Sequence, residues 1–313
     1  MLKTFSQLKR YANRNERLRV LDEKDIHDVQ QALLEMMDDF HALCERNGLC
    51  YFLTGGTALG AVRNQGFIPW DDDIDLIMPR RDYDRLRECV DRELSDRYWI
   101  QSLETSEACD LPFSKFRKKG TKYVEIFENE PERAGLFIDV FPLEDMYSSE
   151  IVRILNGVAD EALFLIASCV RMYNKKERLL SYVEGSPLEK TVRLKAAIGK
   201  IFSDRKDRNI WFRRCENWQS KCRNPESKYV TVSCGRGHYF GETYLRSEIF
   251  PVQPVSFEGR TYWAAKNPDH LLTVLYGSGY MTPEDPSHRE VHSLVELDLG
   301  FRKEEREYDQ SDE

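Results

Sequence analysis

The sequence predicts an α+β fold: a mixed β-sheet core flanked by helices, then a helical insertion and a mixed C-terminal region. Up to about residue 145, short apolar runs of strand length alternate with segments of helical period. From about 149 to 222 the pattern is helical throughout, and strand-like runs return from Lys228. With 313 residues, 41% of them hydrophobic, the chain is long enough to bury a substantial core.

The chain divides into an N-terminal arm (1–24), a core (25–148), a helical region (149–225), a mixed C-terminal region completing the domain (226–301) and a polar tail (302–313). The arm carries Lys9, Arg10, Arg14, Arg17 and Arg19, and the tail is mixed in charge. From Asp25 to Asn47, Ile26, Val29, Leu33, Met36, Phe40 and Leu43 recur at helical spacing, and Gly48 is placed to cap the helix. "CYFLT" then reads as a buried strand, "TALGAVR" as a short helix and "DIDLIM" as a second strand, followed by a helix from about Arg80 to Leu94. "YWIQSL" is a further strand. "PFSKFRKKG" and "TKYVEIF" suggest a hairpin turning at Lys119-Gly120, and "GLFIDVFPLE" a strand carrying Asp139 between Ile138 and Val140. Three helices are expected in the helical region, separated near "EGSPLE" and "SDRKDR". Strands are expected at "KYVTVSC", "PVSFEG" and "TYWAA", and a helix at "PDHLLTVLYG".

A net charge of −8 argues against nucleic acid as a partner. The eight cysteines form no CxxC pair and no Cys/His zinc spacing, which suits reduced core thiols in a cytoplasmic protein. No signal-peptide core is evident, and the uncharged run "ALFLIASCV" is far too short to span a bilayer.

The chemistry concentrates in "GGTALGAVRNQGFIPWDDDIDLIMPRRDY". In an extended Asp-Ile-Asp-Leu segment, Asp73 and Asp75 share one face while Ile74 and Leu76 face the core. Adjacent carboxylates repel unless a cation neutralises them, and an all-oxygen set suits Mg2+, or else Mn2+. Asp139, in a comparably apolar strand, supplies a third ligand. Gly55 and Gly56, where a strand meets a helix, let backbone N–H groups face a phosphate. A Gly-Gly pair is ordinarily a turn and an acidic run ordinarily solvated, but in this order and between apolar flanks they point to a metal-bridged phosphoryl site.

This stretch, with "FSKFRKKGTKYVE", "GLFIDVFPLE" and "FPVQPVSFEGRTYWAAKNPDHLLTVLYGSGYMTP", resembles the LicD family of phosphocholine transferases, related to the fukutin-type transferases. The resemblance implies a nucleotidyltransferase-like core, Mg2+ dependence and transfer of a phospho-alcohol from CDP-choline or another CDP-alcohol to a glycan acceptor, free or lipid-linked, with CMP released. Such acceptors are lipopolysaccharide, teichoic acid or capsule precursors, which places the protein in the cytoplasm at the inner membrane surface. On this resemblance Gly55 and Gly56, with Thr57 beside them, bind substrate, and Asp73, Asp75 and Asp139 hold the metal. The long insertion between Gly56 and Asp73 leaves the roles of Asp71 and Asp72 open, with Asp72 counted among the substrate-binding candidates. Asp139 or Asp72 is the candidate general base, with Asp139 preferred.

Arg63, Lys115 and Arg117 lie in matching blocks as phosphate-binding candidates, although an exposed strand edge often carries such charges anyway. For a quaternary ammonium, Trp70, Tyr83, Phe116, Tyr123, Tyr239 and Tyr276 are available aromatic faces. The basic run 200–223, with Ile210, Trp211 and Trp218, is a candidate for peripheral membrane contact against the simpler reading of a solvated helix. His238 in "SCGRGHYFG" is a candidate substrate contact against that of a surface turn. Two rival readings of the same resemblance are a nucleotidyltransferase that uses an NTP and releases pyrophosphate, and a non-catalytic glycan- or nucleotide-binding module.

Overall fold

The computed structural model describes residues 19–204, 206–283 and 294–300. Helix α1 (Glu23–Asn47) opens where the Asp22 carboxylate accepts the Asp25 N–H at 2.7 Å and closes at Gly48, whose φ of 59° few other residues tolerate. Its stripe of Val29, Leu33, Met36, Phe40 and Leu43 is fully buried. Phe40 meets Phe116 edge to face at 5.4 Å, which seats α1 on the sheet.

The core then runs β1 (Phe52–Leu53), α2 (Gly55–Asn64), β2 (Asp75–Pro79), α3 (Arg80–Glu93), β3 (Tyr98–Gln101), β4 (Ser114–Lys118), β5 (Lys122–Glu125) and β6 (Phe137–Asp145). The main sheet has the order β1-β2-β6-β4-β3, and β7 (Tyr229–Thr231) joins the far end of β6 with β8 (Thr243–Leu245) beyond it. β2 and β6 run parallel, with Asp75 opposite Asp139, while the other pairings are antiparallel. The fold is therefore α+β with a mixed sheet. Because β7 and β8 extend that sheet, the C-terminal region builds directly on the core.

The expected hairpin at Lys119-Gly120 does not form. The turn is present, with Gly120 at φ 76°, but β4 lies between β3 and β6 while β5 pairs with β11 (Leu294–Asp298). The segment around 134–136 takes the hydrogen bonds a hairpin would have used: Lys118 N–H donates to the Leu136 carbonyl at 2.8 Å and Tyr123 N–H to that of Ala134 at 2.7 Å. β4 is thus an internal strand, and Lys115 and Arg117 are buried rather than displayed on an edge.

Among the described residues the helical region holds four helices where three were expected: α4 (Glu150–Asn174), α5 (Lys176–Val183), α6 (Pro187–Phe202) and α7 (Ile210–Gln219). The extra break falls at Lys175, whose ammonium is drawn inward to the Phe127 carbonyl (2.6 Å) and Asp110 (2.7 Å). Beyond β7 come α8 (His238–Gly241), β8, α9 (Arg246–Ile249), the hairpin β9 (Gln253–Phe257) and β10 (Arg260–Ala264), and α10 (Pro268–Tyr276). All eight cysteines are free thiols, seven of them buried. Among the described residues, no helix is long and apolar enough to cross a membrane. Lys9, Arg10, Arg14, Arg17 and the tail lie outside the described residues; Arg19 pairs with Asp25 at 2.6 Å.

Candidate functional site

Register places three charged residues in one row across adjacent strands: Asp75 on β2, Asp139 on β6 and Lys115 on β4. Directly opposed residues on neighbouring strands project to the same face, so these side chains converge. Lys115 Nζ lies 3.5 Å from Asp139 and 2.8 Å from Glu125, and over the Phe137 ring at 3.1 Å. Asp75 is held from behind as well, its N–H donating to Thr57 Oγ1 at 2.9 Å and its carbonyl accepting from Thr54 N–H at 3.0 Å. Thr57 is thus buried against the backbone of β2 and locks α2 to it.

The glycines are the first two residues of α2, so the helix begins two positions before the expected "TALGAVR". Gly55 has φ 56°, and a Cβ there would meet Asp75 Oδ2 at 2.3 Å; one on Gly56 would meet Asp71 Oδ2 at 2.4 Å. Gly55 is required by its positive φ as well as by the Asp75 carboxylate, whereas a Cβ at Gly56 would push on the Asp71 carboxylate. Asp71, whose role the sequence left open, therefore joins the cluster. Strand β2 begins at Asp75, so Asp73 precedes it. Burial first, then the charges of Asp73, Asp139 and Asp71, push the Asp75 carboxyl well above its ordinary range, with Lys115 opposing them.

Two cavities flank this row. One, of about 180 Å³, is lined by Gly55, Asp75, Phe141, Arg236, Glu242 and Tyr276. The other, of about 200 Å³, opens beside Asp139, Lys115, Glu125 and Arg171. Of the six candidate aromatics, Tyr276 lines the first cavity; its hydroxyl is pushed up by burial and by Asp75 and Asp71. Phe116 stacks on Tyr98 at 4.4 Å in the core, Tyr83 hydrogen-bonds Ser114 at 2.7 Å, Tyr239 is buried beside α4 and Trp70 packs on the core. Tyr123 donates to Asp72 at 2.7 Å, which leaves Asp72 buried and turned from the row.

Arg117 is likewise drawn away. Its guanidinium donates to Gln101 (2.7 Å), the Gly135 carbonyl (2.7 Å) and Glu128 (2.6 Å). Arg63 sits at the end of α2 and reaches the Tyr280 carbonyl at 3.4 Å. In the "SCGRGHYFG" loop, Arg236 lines the cavity, whereas His238 packs on the Phe164 ring at 4.7 Å. An arginine between two glycines was the signal available for Arg236 in the sequence.

Among the described residues, no set of three or more His, Cys, Asp or Glu side chains converges as a ready-made metal site. The donor chemistry nonetheless fits a hard divalent cation: carboxylate oxygens crowd Asp75, and their mutual repulsion is what such an ion would relieve. Asp73, Asp75 and Asp139 are the residues that would hold it.

Residues 48–152 match the family model described as LicD/FKTN/FKRP, nucleotidyltransferase domain. The chain carries a LicD-family domain. It spans α2, β2 and β6, and hence Gly55, Asp75 and Asp139. Similarity runs further: over 273 residues, 85% of this chain and 96% of the relative, it is 26% identical to the lipopolysaccharide cholinephosphotransferase LicD of Haemophilus influenzae. Two uncharacterized rickettsial proteins match shorter parts. One from Rickettsia typhi is 29% identical over 123 residues (38% of this chain, 37% of that protein), and one from Rickettsia prowazekii 42% over 59 residues (19% and 22%).

Proposed function

We propose that the chain is a Mg2+-dependent phosphotransferase that moves phosphocholine, or a related phospho-alcohol, from a CDP-linked donor to a hydroxyl of a cell-surface glycan or its lipid-linked precursor. The observation that carries this reading is the row of Asp75, Asp139 and Lys115 beside a helix opened by two glycines. The similarity to a lipopolysaccharide cholinephosphotransferase over 85% of the chain supports the choice of cargo and acceptor. The reaction is placed in the cytoplasm, at the inner membrane surface.

The backbone N–H groups of Gly55 and Gly56 and the Arg236 guanidinium bind the donor diphosphate. Tyr276 and Phe141 offer ring faces to the quaternary ammonium in the cavity they share with Asp75. Asp139, open to the second cavity, takes the proton of the acceptor hydroxyl; Asp72, shut in by Tyr123, is the poorer base. The acceptor oxygen forms its bond to the distal phosphorus as the bond from that phosphorus to the bridging oxygen breaks. The bridging oxygen leaves with the electron pair as part of CMP. Lys115 holds Asp139 in place through this exchange. Mg2+ bound by Asp73, Asp75 and Asp139 would neutralise charge on the diphosphate and the departing oxygen.

Product analysis tests the reading. Purified protein given CDP-choline, Mg2+ and a glycan acceptor should release CMP and label the glycan. Pyrophosphate released from CTP would instead identify a nucleotidyltransferase, and thermal stabilisation by these ligands without turnover would identify a binding module.

A further inference from the structure

A further unexplained feature lies away from the two cavities beside Asp75 and Asp139. On α4, Ile151 (72% exposed), Leu155 (65%), Val158 (57%) and Leu165 (37%) recur at helical spacing and form a solvent-facing apolar stripe. On the buried side of the same helix, Gly157 lies against Tyr239 and Phe240, the latter itself 51% exposed. α6 packs along α4, with Gly199 against the backbone at Cys169, and adds Leu194, Ile198 and Ile201 as further exposed apolar residues. Soluble surfaces rarely carry so many large apolar side chains together without a partner for them.

The charge beside this surface identifies the partner. Lys190, Arg193 and Lys200 are exposed on the flank of α6 next to its apolar residues, and the acid Glu189 engages Arg193 at 2.8 Å. This basic stripe sits on a chain of net charge −8. A two-fold contact between copies through this surface would bring the stripe against itself, like charge on like. A bilayer with anionic headgroups instead receives the apolar side chains and attracts the bases at once. Of the run 200–223, which the sequence offered for such contact, Lys200 and Ile201 belong to this surface, while the indoles are partly buried and hydrogen-bonded: Trp211 donates to the Phe202 carbonyl (2.8 Å) and Trp218 to that of Asn156 (3.2 Å).

We infer that the outer faces of α4 and α6 dock the protein on an anionic membrane surface, with the apolar stripe in the headgroup region and the α6 bases over the lipid phosphates. α4 starts shortly after β6, the strand that bears Asp139.

Co-sedimentation of the full chain with vesicles tests this without donor or acceptor, so its outcome is independent of the phosphotransfer reading. Vesicles of phosphatidylethanolamine and phosphatidylglycerol should bind the wild type, and neutral phosphatidylcholine vesicles should bind it at least about tenfold more weakly. Leu155→Glu with Ile201→Glu should reduce binding to anionic vesicles by about tenfold or more. Lys190→Glu with Lys200→Glu should remove the preference for anionic lipid. Unchanged melting temperatures show that both variants fold. Absence of wild-type binding, or binding that neither variant alters, overturns the proposal. So does light scattering that shows a dimer lost in the Leu155/Ile201 variant where vesicles are not bound, since the surface would then join two copies of the chain.

Discussion

Two buried clusters in this protein place a carboxylate among charges and reach opposite results. At Asp110, burial alone would favour the neutral acid, but Arg171 at 3.2 Å and Lys175 at 2.7 Å hold the carboxyl below its usual range. Lys175 is in turn pushed down to about 8 by burial, against the pull of Asp110. At Asp75, burial acts in the same direction, but most of the neighbouring charges are carboxylates, and the carboxyl is driven up. The first cluster is complete within the chain and ties the helical region to the core. In the second, acids outnumber the Lys115 ammonium that opposes them, the kind of imbalance found where ligands bind.

The sharpest test separates activity from stability. Asp75→Asn should lower phosphotransfer by more than about 1000-fold, since it removes a group facing the reacting phosphate, yet leave the melting temperature level or higher because a repulsive buried charge is gone. Rates of CMP release and thermal melts check both halves. Asp110→Asn should do the reverse, leaving Arg171 and Lys175 buried without their acid. A loss of about 3 kcal/mol in urea unfolding is expected, and a loss near zero would mean the two clusters are energetically alike.

Gly55→Ala should cost about 100-fold in turnover, because the new Cβ would crowd the Asp75 carboxylate at a residue with positive φ. Asp160 provides a third case, a buried acid raised to about 7 chiefly by burial. The unfolded chain releases that proton near pH 4, so between there and pH 7 the native state binds more protons and stability falls as pH rises. Asp160→Asn should therefore stabilise the protein by roughly 1–2 kcal/mol more at pH 8 than at pH 5, measured by denaturant unfolding at both pH values. The smallest effect expected is a rise of a few degrees in melting temperature on adding Mg2+, lost in Asp75→Asn and kept in Asp110→Asn.

Local signals in the sequence were read correctly where the cause is local. The period of Val29, Leu33, Met36 and Phe40 defines α1, Gly48 ends it, and Gly120 turns the chain as expected. Ile74 and Leu76 are buried as expected, but so are Ile77 and Met78, so β2 is covered on both faces and starts only at Asp75. The hairpin failed because a turn does not choose its strand partners: β4 found β6 and β5 found β11, far along the chain. Lys115 and Arg117 share a face by period two, but one meets Asp139 while the other is held by Gln101, Gly135 and Glu128.

By itself, then, the sequence determined the fold class and most element positions, because helix period, strand alternation and capping act over a few residues, and it offered the carboxylates and glycines of the candidate site. Tertiary structure alone decided that Asp75, Asp139 and Lys115 stand in one row, that Asp71 joins them and Asp72 turns to Tyr123, and that Arg236 and Tyr276 close the cavity. Strand register and long-range packing set those neighbours, and a charge buried in a low dielectric takes its behaviour from whatever lies within a few ångströms.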